Sequence, residues 1–368
     1  MESLYNDGMF SHIQFFFRKY ERWISPVTVV TGFIFDNLAL RRIDVFLSNA
    51  ILIAYLVISA LSIIFLNIHE HRRSESKRSE TLRFILIFVM QFCLGGLFSA
   101  SFIFYSKSGT LIGSWPFLLM LVAYITGNEI LRRNYVRLGF QVAVFFTALF
   151  SYLIFFLPII LGSMGDAIFL LSGIASLIIT GLFIYILSWF APERTKQSTP
   201  IILSALFGLF GIINILYFTN LIPPIPLVLK DAGIYRSVTK ISEGVYAARG
   251  EKQKWFNIFS PRPTIHIISG EPLYALSLIF APANLQTDIV HVWQYYDDSK
   301  EKWISFNPIF LRIEGGREGG FRTYSTREDV FPGHWRVDVR TPRGQIIGRL
   351  SFDIAQSRGN EDIVTVVK

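Results

Sequence analysis

The chain has 368 residues, of which 52% are hydrophobic, with a mean hydropathy of +0.44 and a formal net charge of +8. That average describes neither half: apolar stretches fill the chain up to Ile222, while charge gathers in a few short stretches and in everything from Lys230 onward, which excludes a single soluble globular domain. The basic excess belongs mostly to the short stretches between apolar segments, so it marks no nucleic-acid surface.

Residues 1–26 read as a cytoplasmic or interfacial lead-in. Phe10, Ile13, Phe17 and Tyr20 recur at helical spacing, with Arg18, Lys19 and Arg22 available for anionic headgroups. There is no short apolar core followed by a small-residue cleavage site, so the first spans are expected to do the targeting. A span needs about 20 apolar residues to cross roughly 30 Å of hydrocarbon. Six stretches meet or nearly meet this, namely 45–68, 82–105, 111–126, 136–161, 167–190 and 201–222, and a shorter one, 27–40, precedes them. Residues 27–222 are therefore expected to form an all-α transmembrane bundle of about seven helices.

Loop charges orient it. Arg72, Arg73, Lys77, Arg78 and Arg83 follow the second stretch, Arg132, Arg133 and Arg137 the fourth, and Arg194 and Lys196 the sixth. The alternate loops hold Arg41 and Arg42, then Lys107, then no basic residue in 162–166. Since Lys and Arg are retained on the cytoplasmic side, the N-terminus is expected inside and everything after Ile222 outside, which in a two-membrane bacterium is the periplasm. Cys93, the sole cysteine, lies within an apolar stretch, so the soluble half can hold no disulfide and one buried thiol makes no metal site or redox pair.

Polar residues inside the bundle are the places to look for transport. Asp36, Gln91 and Asn214 are the candidates, and a transporter or lipid-handling protein would bring them to one cavity. Small residues at four-residue spacing, in Gly95 and Ser99, in Ser172, Ser176 and Thr180, and in Ser204 and Gly208, suit close helix contact within one bundle or in a homo-oligomer.

Residues 223–263 begin with Pro223-Pro224-Ile225-Pro226 and read as a junction and linker, or as an added hairpin. From 264 to 368 the period becomes two, with Gly, Pro and Asp clusters between short apolar runs. About seven strands follow: 264–268, 274–280, 289–296, 303–314, 321–325, 334–340 and 345–354. This is the pattern of an all-β, immunoglobulin-like antiparallel sandwich. In 334–340, Trp335, Val337 and Val339 alternate with Arg336, Asp338 and Arg340, giving one buried and one wet face. In the next strand Ile346, Leu350, Phe352 and Ile354 are expected on one side, and Ile347, Arg349, Ser351 and Asp353 on the other.

His291-Val292-Trp293, then 320–325 (Gly-Phe-Arg-Thr-Tyr-Ser), then 333–339 (Gly-His-Trp-Arg-Val-Asp-Val), with Gly344, Gly348 and Phe352, resemble the C-terminal domain of unknown function catalogued as family 2914. The resemblance covers approximately 281–354, and the junction and bundle resemble uncharacterised bacterial membrane proteins that end in that domain. It implies an inner-membrane protein with an exported sandwich and supplies no reaction, ligand or catalytic residue.

Surface Arg and aromatic residues together make recognition surfaces, so Arg322, Tyr324, Arg336 and Arg349 are candidates for binding carboxylate or phosphate groups of an envelope protein, a wall polymer or a lipid headgroup. The competing reading is a fold-holding network across the sheet. Trp293 reads as core and His291 as its hydrogen-bonded neighbour, with His291 kept as a binding candidate and as the base that an enzyme at the outer face would need. His266, His291 and His334 fall on separate strands without ligand-like spacing, so no metal or other cofactor is expected. Taken together, these residues read as a multi-pass, non-enzymatic anchor presenting a periplasmic recognition or assembly domain, with the transporter as the alternative.

Overall fold

The computed structural model describes residues 46–71, 77–224, 226–242, 244–251, 262–268, 270–282, 285–314, 320–357, 359 and 362–368. The expected lead-in and first span, Asp36 included, lie outside them. Six long helices come first: α1 (Phe46–His71), α2 (Lys77–Lys107), α3 (Leu111–Ile130), α4 (Leu138–Leu161), α5 (Asp166–Phe190) and α6 (Pro192–Phe218). Five are long and apolar enough to cross a membrane, and α3 is not, its apolar part running only from Gly113 to Gly127 before a 3-10 turn at Arg132–Val136. The expectation of about seven spanning helices is thus corrected to six helices with five spanning candidates among the described residues.

The helices are inside-out relative to a soluble protein. Ser59, Asn67, Gln141, Thr147, Ser172, Ser176 and Thr180 are fully buried, whereas Phe46, Trp189, Phe207, Ile178 and Ile215 are exposed. Some buried hydroxyls bond to helical carbonyls, as Ser172 Oγ does to Leu153 O across to α4 (3.1 Å) and to Ile168 O (2.8 Å). An apolar exterior around buried polar side chains is the arrangement a hydrocarbon solvent favours. Of the small-residue rows, Ser172 to Thr180 is buried, while Ser204 and Gly208 are exposed on α6.

By contact density the chain divides into two units. Among the described residues, one takes those up to Ile103, Met120–Leu149 and Leu177–Leu209; the other takes those in Phe104–Leu119, Phe150–Ser176 and Phe210–Lys368. In the first, Asn67 Nδ2 donates to Gln141 Oε1 (2.7 Å), Glu70 pairs with Arg83 (3.0 Å) and Arg194 (3.5 Å), and Arg194 donates to Val136 O (2.9 Å). The basic residues of the loops thus tie neighbouring helix ends together.

Among the described residues the second unit carries twelve strands in three sheets. The first sheet has the order β1 (Val228–Tyr235), β5 (Leu273–Phe280), β9 (Phe321–Arg327). The second runs β4 (Thr264–Ile267), β11 (Ile346–Gln356), β10 (Gly333–Arg340), β6 (Gln286–Asp297), β7 (Lys302–Ser305), with β8 (Ile309–Glu314) also on β6. The third is β12 (Ile363–Val367), β3 (Val245–Glu251), β2 (Ser237–Ser242). Every pairing is antiparallel except β4 with β11, which is parallel and corrects the purely antiparallel expectation. The expected strand 303–314 is two strands, because β6 is long enough to pair with β7 at one end and β8 at the other. The segment expected as linker or hairpin contributes β1, β2 and β3.

Leu273 and Ala275 of β5 share one core with Trp293, Trp335, Val337, Phe352 and Ile354 of the second sheet, so the first two sheets face each other. A second core continues it through Leu227, Ile279, Ile289, Val339 and Ile347. The third sheet covers the other side of the first, through Val238, Ala248, Leu276 and the rings of Tyr235, Tyr246, Tyr274 and Tyr324. Ile347 is buried while Ile346 is half-buried, the reverse of the alternation expected. The cause is a bulge: Val339 pairs with Gly348 but Arg340 with Ile346, and one extra residue turns the side chains over.

Gly320, entering β9, has φ +90°, and a Cβ there would lie 3.1 Å from the carbonyl oxygen of Ile279. Gly320→Ala is expected to destabilise this unit by about 2 kcal/mol, seen as a lower melting midpoint of the purified full-length chain. An unchanged midpoint would mean the turn does not need the glycine.

Candidate functional site

Between the facing sheets lies a buried polar chain. His291 on β6 is fully buried; its Nε2 meets Ser277 Oγ of β5 at 2.9 Å and its Nδ1 meets Ser325 Oγ of β9 at 2.9 Å. Trp293 Nε1 donates to the same Ser325 oxygen (2.9 Å). Burial pushes the His291 pKa down from 6.5 to about 4, so the ring is neutral at pH 7. Serine beside histidine is the raw material of nucleophilic catalysis, but here both hydroxyls are spent on holding a ring that touches no solvent.

The outward face of the second sheet is different. Arg336, Asp338 and Arg340 alternate on β10, and register sets Arg349 of β11 directly beside Asp338. Arg349 donates Nε to Oδ1 (2.5 Å) and a terminal nitrogen to Oδ2 (2.9 Å), and Arg340 adds a third bond to Oδ2 (2.5 Å). Asp338, expected on the wet face, is fully buried beneath these two guanidinium groups. Its burial alone would raise the carboxyl pKa, yet the bonds from Arg349 and Arg340 outweigh that and hold it below 3.8. Those bonds in turn raise the pKa of Arg349.

Arg336 completes the group. Its Nε donates to Gln294 Oε1 (2.5 Å) and its guanidinium lies over the Trp303 ring, 4.1 Å from the centroid. Partial burial and the like charges of Arg349 and Arg340 lower its pKa, against the pull of Asp338. Two arginines therefore share the Asp338 carboxylate and a third, Arg336, stands beside them, on a surface that also carries Trp303 and the exposed ring of Phe310.

Of the sequence candidates, Arg336 and Arg349 come together here. Arg322 and Tyr324 share a face as the alternation suggested, but on the first sheet. Tyr324 packs under the third sheet against Tyr246 (5.9 Å between centroids) and Tyr274 (6.0 Å). Arg322 opposes Leu278, which itself opposes Asp231, the carboxylate that pairs with Lys368. His291 belongs to the buried chain. His266 meets Glu251 (3.0 Å) and His334 meets Asp353 (2.6 Å), so the three histidines have separate partners. Among the described residues no group of three or more His, Cys, Asp or Glu side chains is placed to hold a metal.

In the helices, Gln91 is buried on α2, and Asn214 donates to Phe210 O of its own helix (2.8 Å). A pocket beside the 3-10 turn is apolar, lined by Met120, Tyr124, Tyr135, Phe140 and Val144, and by neither of those two.

Sequence reasoning missed Arg340 and Trp303 as members of the face, Asp338 as its centre, and Ser277 and Ser325 as partners of His291. Alternation had put Arg336, Asp338 and Arg340 on one side of a strand; the cross-strand neighbours carried no local signal.

Residues 286–354 match the family described as Protein of unknown function (DUF2914), as the motifs along β6, β9, β10 and β11 had indicated. No curated protein is significantly similar to the chain. Among solved structures, Pseudomonas fluorescens alkylpurine DNA glycosylase AlkC bound to DNA containing an abasic site analog aligns over 77% of this chain and 83% of that one at 13% identity. The TM-score is 0.19, a likeness too slight to carry an argument about fold or activity.

Two outcomes follow from the buried groups. Below pH 6.5 the unfolded chain binds a proton at His291 that the folded chain refuses until about pH 4, so stability falls as pH drops through that window, by about 3 kcal/mol in total, and levels off below it. Melting curves of wild type and His291→Leu across pH 7 to 4 should differ by that slope; parallel curves would refute it. Asp338→Ala leaves Arg349 and Arg340 without their carboxylate and should cost about 3 kcal/mol or more, whereas Asp297→Ala, at the end of β6, should shift the melting midpoint far less.

Proposed function

We propose that this is a non-enzymatic membrane anchor whose helices hold an immunoglobulin-like sandwich on the outer side of a bacterial inner membrane, as a recognition or assembly module. The observation that carries this reading is how the sheets meet the helix ends in the second unit. The turn between β10 and β11 leans on the end of α6 and the start of α5: Arg343 pairs with Asp166, donates to Asn220 Oδ1 (3.2 Å) and lies 4.1 Å from the Tyr217 ring centroid. Gln345 Nε2 donates to Ile222 O (2.9 Å), and Tyr217 stacks on Phe169. A module gripped this way has a set orientation, which suits presentation better than a flexible tether does.

The side of the membrane follows from charge. The chain turns in the same unit as the sheets carry one basic residue, Lys107 before Ser108–Thr110, and none in Gly162–Gly165, while Arg83, Arg137, Arg194 and Lys196 belong to the other unit. Retention of Lys and Arg inside supports an external module. Against catalysis stands the burial of both serines beside His291; against transport, Asn214 bonds to its own helix and neither it nor Gln91 lines the apolar pocket.

Orientation is tested by labelling in a Cys93→Ser background. A single cysteine at Lys300 should react with a membrane-impermeant maleimide in intact spheroplasts, and one at Lys196 only after permeabilisation. The opposite pattern would reverse the sidedness.

A further inference from the structure

We propose that the outward face of the second sheet, through Arg336, Arg340 and Arg349, binds the phosphate groups of anionic phospholipid at the surface of the bilayer that holds the helices. The proposal rests on the membrane-anchor reading and adds the ligand of that module.

Charge is the first argument. The cluster holds three guanidinium groups and one carboxylate, with Arg340 and Arg349 on Asp338 and Arg336 on Gln294, so two positive charges are left without a counter-ion in it. A structural network would balance; this one is in excess, and the Arg340 Nε is buried with no hydrogen-bond partner among the described residues. Asp338 uses both its oxygens on Arg340 and Arg349, which aligns the two planar groups side by side, and Arg336 is held flat on Trp303. Arginines whose rotamers are already set lose little entropy on meeting a phosphate, whose oxygens match their forked donors.

Position selects the ligand. Arg340 directly precedes Thr341, which opens the turn seated on the ends of α5 and α6. Asp338 with Arg349 lies two residues further along the strand and Arg336 two beyond that, in steps of roughly 7 Å. Arg340 is therefore the row nearest the helix ends, where Tyr217 and Phe218 close the apolar run of α6 beside Arg343. A bilayer around those helices presents its phosphate groups beside that end of the sheet. Phe310, exposed on the same face and on the row of Arg340 through Val290, supplies the apolar contact that lipid glycerol and upper acyl carbons would take.

The test uses the full-length chain in mild detergent, with bound lipid counted by native mass spectrometry during titration with dioleoyl phosphatidylglycerol or dioleoyl phosphatidylcholine. Wild type should retain phosphatidylglycerol in preference to phosphatidylcholine, with affinity falling as salt rises. Arg336→Gln and Arg340→Gln should each weaken retention about fivefold, and Lys240→Gln, exposed on β2 of the third sheet, should not. Arg336 has no bond to Asp338, so Arg336→Gln keeps the proposal testable should Arg340→Gln unfold; each melting midpoint is read alongside. Equal retention by folded variants and wild type, or equal retention of the two lipids, would overturn the proposal. So would inorganic phosphate at millimolar concentration displacing the lipid completely, which would make a soluble oxyanion the ligand. A chain that stays monodisperse with the detergent removed would defeat the membrane reading itself, a result the lipid titration cannot imitate.

Discussion

A carboxylate buried in the middle of a sheet face cannot stand alone, and Asp338 organises everything around it for that reason. Burying an ionised group costs several kcal/mol unless charges and hydrogen bonds answer it. Here the answer comes from Arg349 on the neighbouring strand and Arg340 on its own. The result is a surface on which arginines are laid in order instead of waving in solvent. Arg336, next along, gains its own support from Gln294 and Trp303. One acidic residue thus converts a basic strand into a shaped cationic plane.

The inner side of the same strands follows the opposite logic. Trp293, Trp335 and Phe352 fill the space between sheets, and the single ionisable ring among them, His291, is kept neutral and doubly bonded to serines. A neutral histidine in a core is compatible with stability at pH 7 and costly in acid. The two faces of β6 and β10 divide the labour, packing within and charge without.

The turn from Thr341 to Gln345 joins this plane to the helices. Its polar groups meet α6 at the Tyr217 carbonyl and at Asn220 and Ile222 just beyond it, and α5 at the side chain of its first residue, Asp166. A mobile linker at Pro223 to Pro226 would not have set the height of Arg340 and Arg349 above the helix ends. The contacts of Arg343 do.

Much of this was legible in one dimension because the signals are local. Unbroken apolar runs mark long apolar helices, and a period of two marks β4 to β6 and β9 to β11; each depends on neighbours within a few residues. Arg336 and Arg349 were visible for the same reason, as charges on an alternating strand. What alternation could not supply was pairing. Asp338 reads as a wet-face residue until β11 brings Arg349 against it, Tyr324 reads as a surface aromatic until the third sheet covers it, and Ile346 and Ile347 exchange places through a bulge that leaves no mark in their own sequence. The parallel partnership of β4 with β11 and the return of β12 to β3 join residues far apart in the chain. The sequence by itself determined the helices, the change to strands and the distribution of charge. Only the tertiary structure decided which charges are buried, which are paired and which are left over, because that depends on contacts between strands whose separation along the chain no periodicity records.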